Sequence, residues 1–245
     1  TYTHFGKQPD VLKHLVLCEV LRRESSSIYV ETNSACAIYP MKQTPEQQYG
    51  IYHFLEKVAE GDNQDLKDST YFQLEGGCYL GSPALAMKIA GRKAQRFIFF
   101  DLEKSALDNV ALFAERADLL PSVHLYHTDS LEGVIALLPS LRKDTFVHID
   151  PYEIDKKGTS GLTYLDLLIE ATRLGMKCLL WYGFMTLNDK SYLNSYIMTR
   201  LKDAGIKEYT CVELIMKSIR QDTVLYNPGI IGSGILATNL LQQSK

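Results

Sequence analysis

The sequence predicts an α/β fold, a mostly parallel sheet of seven strands with helices on both faces. Three observations carry that reading. From Arg96 onward, short β-branched or aromatic runs alternate with helical segments, which implies parallel pairing with crossover helices. The last two strands follow each other without a long helix, which implies one antiparallel strand at the end. The 245 residues are 46% hydrophobic and 22% charged, ordinary values for a globular chain. That composition excludes a disordered tail, a fibre and a coiled-coil rod.

Taken in order, residues 10–23 (DVLKHLVLCEVLRR) predict a helix, capped by Asp10 and closed by Arg22 and Arg23. Residues 27–32 (SIYVET) predict the first strand. Residues 38–78 are polar and rich in Gln, Tyr and acid, and read as a small helical insertion within a single domain spanning 1–245. Thr44 followed by Pro45 marks a helix start inside it. Ser82-Pro83 predicts a second capped helix. Strands then follow at 96–101 (RFIFFD), 123–127, 145–150 (TFVHID), 177–182 (KCLLWY), 208–216 and 234–239. The helices between them are predicted at 104–116, 130–138, 162–174 and 190–204, with Gly175 and Gly205 as stop signals. Seven strands of this kind match the class I methyltransferase variant of the Rossmann fold.

Several function classes fall away. No apolar run approaches the roughly 20 residues of a membrane span, and no signal peptide opens the chain. The five cysteines form no CxxC pair and read as buried free thiols of a reducing cytoplasm, with no metal site implied. A dinucleotide oxidoreductase lacks its G-x-G-x-x-G after the first strand. A two-metal nuclease lacks paired carboxylates at ligand spacing. The formal charge of −3 argues weakly against a nucleic-acid coat. That charge is uneven: residues 56–75 hold six acids against two lysines, a net −4, leaving +1 elsewhere. Lys7, Lys13, Arg92, Lys93, Arg96, Lys156 and Lys157 are therefore candidates for a phosphate-gripping rim outside the insertion.

In a doubly wound sheet, ligands bind beyond the carboxyl ends of the strands. Four consecutive ends here carry or meet an acid: Glu31-Thr32-Asn33, Asp101, Asp129-Ser130 and Asp150-Pro151-Tyr152. Asp101 suits a ribose hydroxyl; its plainer alternative is a helix cap. Asp129 and Ser130 read equally as a cap or as a hold on an adenine amino group. Asp150-Pro151-Tyr152 resembles the D/N-P-P-Y/F/W motif of amino-group methyltransferases. There a carboxylate and a proline carbonyl accept both amino hydrogens, aim the nitrogen at a sulfonium methyl, and leave the aromatic ring to stack on a flipped base.

Several segments together resemble one family, the bacterial 23S rRNA adenine-N6 methyltransferases of the RlmJ type, for which an older label is catabolism or uptake of external DNA. They are Asp10-Val11-Leu12-Lys13-His14, Glu31-Thr32-Asn33-Ser34-Ala35, Tyr79-Leu80-Gly81-Ser82-Pro83, Ile149-Asp150-Pro151-Tyr152-Glu153, Leu180-Trp181-Tyr182 and Ser233-Gly234. The resemblance implies S-adenosylmethionine as cofactor, held by Lys13, His14, Thr32, Asn33, Ser82, Asp101, Asp129 and Ser130. It implies Asp150, Pro151 and Tyr152 as the catalytic group. It implies a cytoplasmic enzyme acting on 23S rRNA that is protein-free or partly assembled; the oligomeric state is left open, with a monomer favoured. Departures cluster at the pocket: Asn33 replaces His, Ala35 replaces Gly, Asp101 replaces Glu, one proline is missing after Asp150, and Asn239-Leu240-Leu241 replaces N-P-P. The rival expectation is a degenerate methyltransferase fold that binds nucleic acid without catalysis. Without the family, Lys13 and His14 read as a solvated helix face.

Overall fold

The computed structural model describes residues 2–74, 76–216, 220–221, 224–225 and 229–240. Glu75, counted in the acidic run, and Leu241 lie outside these residues.

The chain opens with α1 (Gln8–Arg23) and β1 (Ile28–Glu31). Pro9 stands in the first turn of α1, where a missing N–H costs nothing, and Asp10 lies inside the helix rather than at its cap. Its carboxylate accepts the Lys7 backbone N–H at 3.2 Å, so the predicted start is corrected by one half-turn. The insertion comes next: β2 (Ile38–Tyr39), α2 (Pro45–Gln47), α3 (His53–Glu60), α4 (Gln64–Lys67), α5 (Thr70–Leu74) and β3 (Tyr79–Leu80). Thr44 caps α2 as its side chain accepts from Gln47. The continuous helix predicted from Thr44 is broken at Gly50, whose ψ of −105° is not helical. β2 and β3 pair antiparallel and close the insertion at its neck.

The remainder is α6 (Ser82–Ala90), β4 (Arg96–Asp101), α7 (Lys104–Arg116), β5 (Val123–His127), α8 (Ser130–Leu137), β6 (Thr145–Ile149), α9 (Tyr164–Arg173), β7 (Lys177–Phe184), α10 (Leu187–Asp203), β8 (Thr210–Ile215), β9 (Arg220–Gln221), β10 (Val224–Leu225) and β11 (Gly232–Thr238). The large sheet has seven strands in the order β5-β4-β1-β6-β7-β11-β8. β11 is antiparallel to both neighbours, so the antiparallel strand is inserted between β7 and β8. β9 and β10 form a separate antiparallel pair.

Alternation along the strands builds a core on each face of the sheet. Phe97 and Phe99 of β4 join Tyr29 and Phe146 beneath α1, α6 and α7. Ile98 and Phe100 point the other way and join Val30, Val147 and Ile149 beneath α8, α9 and α10. Of the five cysteines only Cys18 and Cys178 are buried; Cys36 and Cys78 are half-buried and Cys211 is exposed. This corrects the expectation of five buried thiols, and the cause is position: Cys211 lies on the edge strand β8. Among the described residues, no helix is long and apolar enough to cross a membrane.

Candidate functional site

Because β1 lies between β4 and β6, the carboxyl ends of these three strands converge. Beyond them lies a cleft of about 330 Å³, lined by Lys13, His14, Asn33, Ser82, Asp150, Pro151 and Tyr152 among the predicted residues. Thr32, Asp101, Asp129 and Ser130 do not line it. Tyr2, Asp10, Cys36, Tyr79 and Trp181 do, and the sequence reading missed them as site residues. A larger groove of about 920 Å³ runs beside β8 and β11 and contains none of the predicted residues.

α1 delivers three polar residues, Asp10 and, one turn on, Lys13 and His14. Lys13 Nζ lies 2.6 Å from Asp150 Oδ2 and 3.6 Å from Asp10 Oδ1. It also sits 5.6 Å from the centre of the Trp181 ring. Burial opposes the charge on Lys13, but the Asp150 and Asp10 carboxylates outweigh it and lift the ammonium above the usual lysine range. His14 is buried, and its Nδ1 is 3.1 Å from the Tyr79 hydroxyl. The solvated-face reading of Lys13 and His14 is therefore corrected: both turn inward.

Burial first, and the nearby Lys13 charge second, hold His14 well below its usual value of 6.5, so it stays neutral. Below about pH 6.5 the unfolded chain takes up a proton at His14 that the folded chain refuses. Its contribution to stability is complete above that pH and falls by roughly 1.4 kcal/mol per pH unit below it. Urea midpoints between pH 7 and pH 5 should drop more steeply for the wild type than for His14→Gln. Parallel curves would remove this assignment.

The loop after β1 is pinned at every residue. Asp150 N–H donates to Thr32 Oγ1 at 3.0 Å, so Thr32 fastens the end of β6 rather than lining the cleft. Asn33 and Ala35 adopt φ of 52° and 53°. Ala35 thus takes the left-handed conformation that glycine adopts freely. Its N–H donates to Asp101 Oδ2 at 2.7 Å, which holds it there. Ala35→Gly is expected to raise stability by up to about 1 kcal/mol, strain relief exceeding the entropy of the added glycine. A lowered denaturation midpoint would contradict this.

Asp101 does not cap α7. Its Oδ1 accepts the Glu103 N–H at 2.7 Å, and both its oxygens lie 3.0 Å from the Tyr2 hydroxyl. Burial, then the Asp101 charge, raise the Tyr2 phenol, so Tyr2 is the donor. Tyr2 covers Asp101, which is why the acid is absent from the cleft wall. Asp129 caps α8 by accepting from Glu132 N–H at 3.0 Å. Ser130 donates to Asn33 Oδ1 at 3.1 Å and lies 2.8 Å from the Tyr164 hydroxyl. Tyr164 was not legible as a site residue, because its link runs through Ser130.

Ser82 opens α6 but does not cap it; Gly81 takes the cap position. The Ser82 hydroxyl donates instead to the buried Glu31 carboxylate. Gly81 lies so close to the Cys36 carbonyl that any Cβ there would overlap it. Tyr152 is 87% exposed at the mouth of the cleft. Of the basic residues proposed for the rim, Arg92, Lys93 and Arg96 precede or open β4 and so lie at the opposite end of the sheet. Lys13 is held by Asp150, whereas Lys156 stays exposed and 3.9 Å from Glu153 in the loop after Tyr152. The rim expectation fails for the first three because the strand carrying Arg96 runs toward the cleft, not away from it.

No family model matches the chain, and no curated protein matches it. Solved structures do. Protein LPL1258 from Legionella pneumophila, described by the family model DUF519, is 21% identical over 98% of this chain and 88% of that one, with a TM-score of 0.69. The O-methyltransferase TomG from Streptomyces achromogenes, solved with SAM, is 10% identical over 93% of this chain and 79% of that one, at 0.52. An O-methyltransferase from Bacillus cereus, solved with SAH, is 10% identical over 97% and 84%, at 0.51. Together with the strand order and the single antiparallel strand next to the edge, these likenesses establish that the chain has the class I, Rossmann-like fold of S-adenosylmethionine-dependent methyltransferases.

Proposed function

We propose that this protein is an S-adenosylmethionine-dependent methyltransferase acting on the N6 amino group of an adenine in 23S rRNA, protein-free or partly assembled. We further read residues 1–245 as one domain, with 38–78 as its insertion. The observation that carries the reading is Asp150: its carboxylate lines the cleft beside the β1 loop and the first turn of α6, with Pro151 next to it.

The residues present fit the cofactor. Asp101 already takes a hydroxyl across both oxygens, that of Tyr2, in the manner a ribose hydroxyl requires. The first turn of α6 faces the cleft with no side chain capping it, which leaves backbone N–H groups for a carboxylate. Ser82, Asn33, His14 and Lys13 would hold the cofactor, with Ser130 acting through Asn33 and Asp101 taking the ribose in place of the Tyr2 hydroxyl that now covers it. When bound, it supplies an electrophilic methyl on a sulfonium.

The chain's own residues do the rest. Lys13 engages Asp150 Oδ2, which leaves Oδ1 to accept one amino hydrogen. The Pro151 carbonyl accepts the other. Two acceptors on one amino group withdraw its lone pair from the ring and aim it. Tyr152, following Pro151 directly because one proline of the motif is missing, meets the base from the mouth of the cleft. The proton released after transfer passes to water, so no stronger base is required.

The test is calorimetry with S-adenosylmethionine and S-adenosylhomocysteine, followed by transfer of labelled methyl to protein-free 23S rRNA, with the modified nucleotide mapped by mass spectrometry. Binding with transfer to an adenine N6 is expected. Absence of any binding heat at large ligand excess would sink the reading.

A further inference from the structure

Behind the cleft lies a polar cluster wholly inside the protein. Glu31 and His148 are 0% exposed, and Tyr29 and Ser82 are nearly so. Glu31 and His148 are cross-strand partners on β1 and β6. His148 lies two residues before Asp150, on the same face of its strand. The Tyr29 hydroxyl donates to Glu31 Oε2 at 2.9 Å and lies 3.1 Å from His148 Nδ1. His148 Nδ1 is 3.3 Å from Glu31 Oε1, the oxygen that takes the Ser82 hydroxyl.

Counting protons fixes the state of each group. Tyr29 has one hydroxyl hydrogen and gives it to Glu31, so its oxygen is left as an acceptor and His148 Nδ1 must carry a hydrogen. His148 Nε2 is buried with no partner among the described residues. A hydrogen there would be an unmet donor on a buried cation, the costliest option. His148 therefore carries its ring hydrogen at Nδ1. Glu31 receives two donors, Tyr29 and Ser82, with His148 Nδ1 3.3 Å from Oε1.

We propose that Glu31, held by Tyr29 and His148, is a positioning residue for the cofactor: its carboxylate takes the Ser82 hydroxyl and so fastens the first turn of α6, which borders the cleft, to the end of β1. Ser82 is the first helical residue and Gly81 takes the cap position, so α6 has no side-chain cap and the Ser82 hydroxyl is free to reach down to Glu31. The titratable groups around the cluster are Tyr29 on β1, Asp150 just beyond β6, and Lys13, His14 and Cys18 on α1. Burial and the Glu31 charge hold Tyr29 protonated, which keeps it a donor. This role rests on the methyl-transfer reading, whereas the protonation pattern does not.

Two measurements test it. In ¹⁵N-labelled protein, with His148→Asn used to assign the signal, the His148 ring should show the Nδ1–H tautomer. An Nε2–H tautomer would overturn the proposal, because Nδ1 would then be an acceptor and draw the Tyr29 hydrogen away from Glu31. Calorimetry with S-adenosylhomocysteine should show Glu31→Gln and Ser82→Ala each weakening binding by about tenfold, and the double variant by no more than the worse single. Losses that multiply would overturn the proposal, since the two residues would then act separately. Tyr29→Phe, which retains the ring stacked on Phe146 at 5.9 Å, should weaken binding by about threefold and covers the case in which Glu31→Gln does not fold. Wild type that binds, with all variants binding equally, defeats the positioning role alone. Wild type that binds nothing defeats the methyl-transfer reading and the role together.

Discussion

Asp150→Asn is expected to lower methyl transfer at least about a hundredfold, the usual scale for removing a group that meets the reacting atoms. The amide matches the carboxylate in shape but offers one acceptor instead of two. Lys13, at 2.6 Å, would take that oxygen, and the amide N–H₂ would face the amino group it should receive. The same change leaves Lys13 with Asp10, 3.6 Å away, and the more distant Glu31 as counter-charges in a largely dehydrated position. Stability should therefore fall by about 1–3 kcal/mol, less than for a fully buried pair because both side chains retain some solvent. Adding Lys13→Met to Asp150→Asn should restore most of the stability and none of the transfer, which separates the two roles. Rates are to be measured on rRNA, with stability from denaturant titration and folded protein confirmed by S-adenosylhomocysteine binding. A wild-type rate in Asp150→Asn would remove Asp150 from the mechanism.

Gly81→Ala is expected to be the most damaging change that alters no chemistry. The conformation at Gly81, φ −78° and ψ 166°, is open to any residue, so backbone torsion is no obstacle. The obstacle is contact: a Cβ would overlap the Cys36 backbone carbonyl, which no rotamer can move. The β1 loop and α6 would have to part, at a cost of about 1–3 kcal/mol at the upper end of overpacking. The same parting would widen the cleft between Ala35 and Ser82 and weaken cofactor binding. Urea unfolding and calorimetry check both; a variant with wild-type stability and affinity would show that the two segments separate freely.

Much of the fold was legible because its signals are local. RFIFFD reads as a strand, Thr44-Pro45 as a helix start, and Gly175 as a stop, each from neighbours within a few residues. The ends of the seven strands, and so the positions of Asp101, Asp129 and Asp150, followed directly. Two errors at helix starts had one cause: a polar residue near a start was read as the cap. Asp10 and Ser82 each give their oxygen elsewhere, and nothing in the local string reports that.

The sequence by itself determined the alternation of elements, the acids at the strand ends and the residues whose spacing suits an amino-methylating site. Only the tertiary structure decided how those residues are shared. Lys13 reaches Asp150 across 137 positions of sequence, Tyr2 covers Asp101, and Glu31 faces His148. Each meeting depends on β1 lying between β4 and β6, with α1 crossing above them. Strand order sets these distances, whereas hydrophobic periodicity records only which face of its own element a residue occupies.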